Sequence, residues 1–318
     1  MGRIIGIERK VRDVSYLAPL LLLENENDPL VWSDVFARQA PLHVEIGFGH
    51  GEVLVARAAC SPENNYVGIE IDVGRISKTL KRIERDALSA NNIRILRIDA
   101  EVVFDRFFLP RSIDEISCFF PCPWLKRKHW KNRLFSGPHL RLLNSRLKNQ
   151  GLLRIVTDAF PYYEWILKEA KGCGFAEQQK RLEPQFNTKF EKKWVAEGQS
   201  EFYEVCFIKE KHQEMDVKRG FELKAYTIDS FNPEAFHFAP VRDEQIIVFR
   251  SLNYDQEKQE AIVRLFVSED NLEQHFLVMI RRVEAGWKIF KMDGQNIFRT
   301  QGVVRALDLV HQAARQAT

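Results

Sequence analysis

The segment VEIGFGHG sets Glu45 just ahead of three alternate glycines, Gly47, Gly49 and Gly51. Glycine lets the backbone turn sharply and approach a ligand with no Cβ in the way, and the helical pattern that follows would offer free N–H groups at its N-terminus. Two more acids close apolar runs: Glu70 in GIEID, and Asp99, followed by Ala100, in RIDA. A carboxylate at a strand tip can accept from both hydroxyls of a ribose, and one on the next strand can reach an adenine amino group. Farther on, FFPCPWLKRKHWKNR brackets Cys122 between two prolines that fix its direction. It then breaks into Lys126, Arg127, Lys128, Lys131 and Arg133.

The glycine spacing is G-x-G-x-G, whereas pyrophosphate binders carry G-x-G-x-x-G, and an acid stands where a pyrophosphate would be repelled. S-adenosylmethionine has no phosphate but has an amino group and a sulfonium, so a carboxylate at Glu45 suits it. A ribose-binding acid serves NAD equally, and a lone glycine loop is often only a turn. Three acids at three successive strand ends favour the S-adenosylmethionine reading. A nicotinamide-dependent oxidoreductase would need the missing phosphate loop and has no use for the basic block.

That block is wider than its core. Residues 121–154 contain no Asp or Glu but carry Lys126, Arg127, Lys128, Lys131, Arg133, Arg141, Arg146, Lys148 and Arg154. The net charge of +3 says little about partners, whereas this local excess suits phosphate contacts. Trp124 offers a flat face for a base or, equally, an anchor in the core. Five cysteines without paired spacing suit free thiols in a reducing compartment, and no metal site is expected. The N-terminus lacks a signal-peptide pattern and no apolar run is long enough to span a bilayer, so a cytoplasmic protein is expected, without membrane attachment.

The elements that must position these residues alternate regularly. From Pro41, short apolar runs are followed by segments of helical period, through GLLRIVTD and PYYEWILKEAKGC. This predicts a doubly wound α/β sheet, with one long basic helix running to Leu147. Beyond a charged linker near residues 210–217, the runs FELKAYTI, EQIIVFRSL, EAIVRLFVS, HFLVMIRRV and WKIFKMD predict short strands, closed by the helical VVRALDLVHQAARQ. The expected organisation is an N-terminal extension (1–40), a Rossmann-like S-adenosylmethionine-binding domain (41–212) and a smaller α+β or mostly antiparallel accessory domain (213–318).

The motifs EIGFGHGEVL, GIEID, RIDA, FFPCPWLKRKHWKNR, TDAFPYYEW and NTKFE, in this order, resemble the TrmB-type tRNA (guanine-N7)-methyltransferases across residues 42–209. The last hundred residues lie outside that resemblance. It implies a class I methyltransferase fold, S-adenosylmethionine as cofactor and tRNA as substrate, methylated at a variable-loop guanine. It also implies cofactor contacts at Glu45, Gly47, Gly49, Gly51, Glu70, Asp99, Ala100 and position 122. Substrate contacts would come from Lys126, Asp158, Thr188, Lys189, Phe190 and Glu191. Cys122 and Asp158 would be catalytic, with Arg127, Lys128, Lys131 and Arg133 on the RNA.

The family's strand-end motif is PDPW, and this chain has Cys122 where the aspartate stands. A thiol titrates near about 8.5 and accepts hydrogen bonds poorly, so the carboxylate's work is lost, moved to another residue or done by thiolate. Residues around NTKFE also depart from the family, and the basic N-terminal tail is reduced to Arg3, Arg9, Lys10 and Arg12. Two readings follow: an active tRNA methyltransferase, or a silent methyltransferase fold that holds tRNA or a partner protein. Monomer and homodimer both stay open.

Overall fold

The structure, a computed structural model, describes residues 15–23, 28–86 and 90–317. The basic N-terminal residues Arg3, Arg9, Lys10 and Arg12 lie outside them. The chain groups into two compact units. One takes in the described residues up to Leu22, Trp32–Ala100 and Pro110–Glu214; the other takes in Leu23–Val31, Glu101–Leu109 and the chain from Met215.

The first unit holds an eight-stranded sheet among the described residues. Its strands are β1 (Leu20–Leu21), β2 (Leu42–Ile46), β3 (Asn65–Glu70), β4 (Ile93–Arg97), β5 (Ile113–Phe119), β6 (Leu147–Thr157), β7 (Phe175–Leu182) and β8 (Phe202–Lys209). They lie in the order β1-β4-β3-β2-β5-β6-β8-β7, parallel except for the antiparallel β6–β8 and β8–β7 pairs. Parallel strands are covered on both faces, which is why NYVGIE of β3 is buried at every position.

Between these strands along the chain come α1 (Trp32–Val35), α2 (Glu52–Cys60), α3 (Val73–Arg85), α4 (Ala100–Arg106), α5 (Gly137–Arg146), α6 (Phe160–Glu169) and α7 (Lys189–Ala196). From Glu101 on, α4 groups with the second unit. Helix α3 buries Ile76, Thr79, Leu80 and Ile83 at helical spacing, and Asp72 caps it by accepting from Arg75 N at 2.8 Å. The chain steps outward from β2 through β3 to β4, then crosses back to β5 and β6 on the other side of β2. That reversal is where ligands bind in such sheets, outside the carboxyl ends of the strands.

Two local expectations change. The single basic helix is broken: a short 3-10 turn covers Arg127–Asn132, and α5 starts afresh after Ser136, whose hydroxyl accepts from His139 N. Pro138 at the helix start explains the restart, since a proline there has no N–H to satisfy. Strand β7 gave no sequence signal, because FAEQQKRL is an edge strand with a mostly exposed, polar run.

The second unit holds a six-stranded antiparallel sheet among the described residues, built from β9 (Tyr226–Ile228), β10 (Val241–Arg242), β11 (Gln245–Asp255), β12 (Glu260–Glu269), β13 (Leu272–Val283) and β14 (Gly286–Lys291). FELKAYTI is strand only over Tyr226–Ile228. Helix α8 (Gln301–Gln316) buries Val303, Ala306, Leu307, Val310, Ala313 and Ala314 in the same core as Val263, Leu265, Val267 and Ile289. A Cβ at Gly302 would come within 2.7 Å of Val267, so glycine permits the close approach of helix and sheet. Among the described residues no helix is long and apolar enough to cross a membrane.

Candidate cofactor and substrate cavity

The turn that leaves β2 places Gly47, Gly49 and Gly51 at φ of 67°, 58° and 71°, the left-handed region that glycine enters without strain. A Cβ at Gly51 would sit 2.4 Å from Thr79 Cγ2, so that glycine is required by packing against α3. At Gly47 and Gly49 a Cβ would meet nothing within 4 Å. Those two glycines border open space instead, and they line a cavity of about 350 Å³ together with Glu45, Cys122, Asp158, Thr188, Lys189 and Phe190.

Within this cavity two carboxylates are incompletely bonded. Glu45 is buried, its Oε2 has no hydrogen-bond partner, and burial pushes its pKa up to about 8, against the opposing pull of Arg57. Asp158, just past β6, has a buried Oδ1 without a partner, and burial likewise raises its pKa. A buried acceptor with no donor is costly unless a ligand supplies one. The ammonium of an amino-acid moiety would satisfy Glu45, so the donor set fits S-adenosylmethionine at the glycine-loop end.

The other expected cofactor acids sit differently. Glu70 is buried and does not line the cavity. Its Oε1 accepts from the backbone N–H of Ile71 (2.9 Å) and Asp72 (3.1 Å), its Oε2 from Gly49 N (3.2 Å) and Arg75 (3.3 Å). A carboxylate has about four acceptor positions, all taken here. Glu70 therefore ties the glycine loop to the start of α3 rather than presenting a vacant acceptor to a ribose. Asp99 is exposed and Ala100 buried at the β4–α4 junction, and neither lines the cavity.

The opposite wall is the loop leaving β5. Phe120 N donates to Val156 O at 2.7 Å, and both Phe120 (φ 58°) and Trp124 (φ 42°) lie in the left-handed region. Bulky residues are strained there and stay only where the surroundings hold them. Arg133 does part of the holding: it donates from Nε to Pro123 O at 3.1 Å and lies over the rings of Trp130, Tyr162 and Trp165. Arg133, expected on the RNA, is buried and braces this loop from inside, unlike the exposed cations beside it. The exposed Cys122 thiol lines the cavity between the two prolines.

The basic block separates in the same way. Arg146 is buried, Lys148 pairs with Asp114, and Arg154 pairs with Glu204 while lying over Phe119 and Phe186. Lys126, Arg127, Lys128 and Lys131 remain exposed, outside the cavity lining. Sequence reading counts charges but cannot see which side of a loop they leave from.

Helix α7 carries the NTKFE segment. Thr188 caps it by accepting from Glu191 N at 3.1 Å, and Lys189 and Phe190 face the cavity. Glu191 is buried and reaches back to the backbone N–H of Gln185 (2.7 Å), Phe186 (3.0 Å) and Asn187 (2.5 Å), an extended capping box. This carboxylate, expected at the substrate, shapes the loop that delivers Thr188. His50, Glu52, Arg75, Phe120 and Trp194 also line the cavity and were not singled out. His50, Glu52 and Phe120 had a signal, standing inside the motifs EIGFGHGEVL and FFPCPWLKRKHWKNR; Arg75 and Trp194 had none. Among the described residues no cluster of His, Cys, Asp or Glu is placed to hold a metal ion.

Residues 39–204 match the family described as "Putative methyltransferase". A tRNA (guanine-N(7)-)-methyltransferase of Chlorobium phaeobacteroides is 40% identical over 184 residues, covering 58% of this chain and 89% of that protein. One from a Polaromonas species is 36% identical over 219 residues, 64% of this chain and 85% of that protein. One from Aquifex aeolicus is 29% identical over 280 residues, 85% of this chain and 93% of that protein. That last share is larger than the part of the chain ahead of residue 213. The similarity therefore runs on into the C-terminal stretch, beyond the motif-bearing residues 42–209.

Proposed function

The chain belongs to the tRNA (guanine-N(7)-)-methyltransferase family, and on that premise we propose that it transfers a methyl group from S-adenosylmethionine to N7 of a guanine in tRNA. The proposed target is the variable-loop guanine at position 46, and the proposed setting is the cytoplasm. Residues 41–212 are proposed as the catalytic domain and 213–318 as an accessory domain. The observation that carries this reading is one cavity at the sheet's switch point, into which Glu45 and Asp158 each bring a carboxylate oxygen without a partner.

Bound S-adenosylmethionine supplies an electrophilic methyl on a sulfonium. Glu45, Gly47, Gly49 and the loop at Pro121 and Cys122 would hold it. Guanine N7 already carries a nucleophilic lone pair, so the chain's task is alignment more than proton removal. Asp158 would accept the guanine's N–H donors and stabilise the positive charge that develops on the ring. Phe190 and Trp194, stacked with ring centroids 5.6 Å apart beside the cavity, give a base a flat neighbour. Exposed Lys126, Arg127, Lys128 and Lys131 would meet phosphates.

A second reading rests on Cys122, which puts a thiol where the family has an aspartate: a fold that binds tRNA without methylating it. Nucleoside mass spectrometry on unmodified tRNA incubated with the protein and S-adenosylmethionine separates the two. Formation of 7-methylguanosine supports the enzyme; tRNA binding without it supports the binding protein.

A further inference from the structure

Helix α3 has an unusually one-signed exterior. Its buried positions alternate with Lys78, Lys81 and Arg85, all exposed, and half-buried Arg75 and Arg82, against the single acid Glu84. A solvated helix face normally mixes its charges. Two surface depressions border this face. One is lined by His50, Lys78, Lys81, Arg82 and Arg85; the other by residues that include Arg82, Lys189 and Lys192. They share Arg82 with each other, and each shares lining with the cavity, through His50 in one case and through Glu52 and Lys189 in the other. A continuous path thus leaves the cavity and runs over cations from two helices.

The charges on this path are only partly neutralised. Arg82 pairs with Glu52 at 3.4 Å and Arg85 with Asp86 at 2.7 Å, while Lys78, Lys81, Lys189 and Lys192 are exposed beside them. His50, at the rim, is held below its ordinary pKa by burial; Glu52 opposes this, and Lys78, Lys189 and Arg75 add to it. Cations from α3 and α7 therefore act on one ring, which stands at the cavity's rim.

We propose that the α3–α7 surface, with Lys78, Lys81, Lys189 and Lys192, binds the sugar–phosphate backbone of the RNA strand that carries the target guanine. This rests on the reading of the cavity as a tRNA methylation site, and adds a second phosphate track distinct from Lys126–Lys131. The strand enters the cavity with its base, and its flanking phosphates lie along α3. Lysines suit this work because backbone binding needs point charges that ignore base identity.

The test is tRNA binding by the full-length Lys78→Glu/Lys81→Glu protein over a salt series, beside wild type and Lys78→Gln/Lys81→Gln. S-adenosylhomocysteine affinity and thermal melting serve as controls for the cofactor end and the fold. Each phosphate that the protein ceases to neutralise lowers the slope of log affinity against log salt by about 0.7 to 0.9. We expect the slope to fall by about 1.5 for the Gln pair, affinity to drop about tenfold or more for the Glu pair, and S-adenosylhomocysteine binding to stay unchanged. If wild type binds and methylates tRNA while both variants keep its affinity and slope, the track is refuted and the function stands. If wild type binds no tRNA at any salt, the functional reading falls and the track with it.

Discussion

Arg133 donates from Nε to the carbonyl oxygen of Pro123 at 3.1 Å, and its guanidinium lies 4.5 Å from the ring centre of Trp130 and 4.8 Å from that of Trp165. The loop that presents Cys122 is thereby fixed from behind by a buried cation. Its strain at Phe120 and Trp124 is held by this bond and by the bond from Phe120 N to Val156 O.

Replacing Arg133 tests that arrangement. Lysine keeps the charge but loses the planar fork and the stacking. Arg133→Lys is expected to lower stability by about 1–3 kcal/mol and to weaken cofactor binding while leaving the salt dependence of tRNA binding alone. A changed salt slope with unchanged melting would return Arg133 to the RNA surface.

Glu45 makes the protein's behaviour depend on pH. Its pKa is raised from 4.5 to about 8 in the folded state, so the native protein keeps a proton that the unfolded chain gives up between those values. The stability this group contributes is complete below its unfolded pKa and is lost as pH rises through about 8. The loss is at most about 1.4 kcal/mol per pH unit. Glu45→Gln should remove that slope.

A cationic ligand must displace the same proton. Cofactor affinity is therefore expected to rise with pH, about tenfold per unit below the Glu45 pKa, with a proton released on binding near neutral pH. Calorimetry of S-adenosylhomocysteine in two buffers of different ionisation enthalpy measures that release; no proton exchange would place the ligand's amino group away from Glu45.

Glu191 serves three backbone N–H groups, so Glu191→Ala is expected to cost about 1–3 kcal/mol and to open residues 185–187 to amide hydrogen exchange. A variant with full stability and protection, impaired only in KM for tRNA, would show that the side chain works on the substrate instead.

Asp158 should carry more of the reaction than Cys122. Asp158→Asn is expected to reduce the rate of 7-methylguanosine formation by about 100-fold. Because burial raises its pKa, wild-type activity should fall on acidification at a higher pH than an exposed carboxylate would give, and the Asn variant should lack that limb. Cys122→Asp should keep or raise activity. Product formed only by Cys122→Asp would identify the natural protein as a binder.

Much of the first unit was legible in the chain because its signals are local. Apolar runs followed by helical period declare parallel strands and crossovers, and alternate glycines after VEI declare a left-handed turn. The motifs also drew Glu45, Cys122, Asp158, Thr188, Lys189 and Phe190 into one expected site, and one cavity holds them. Composition could not divide the charges. Glu70, Glu191 and Arg133 look in sequence like groups waiting for a ligand. In the fold their partners are backbone N–H groups, a backbone carbonyl and aromatic rings brought by other elements. Conversely, α3 reads as an ordinary amphipathic helix, and its basic face gains meaning only from standing next to α7 and the cavity. A sequence determines which groups are able to bond; which donors each acceptor meets is decided by the tertiary packing, since burial leaves a polar atom satisfied or unsatisfied according to neighbours that lie far away along the chain.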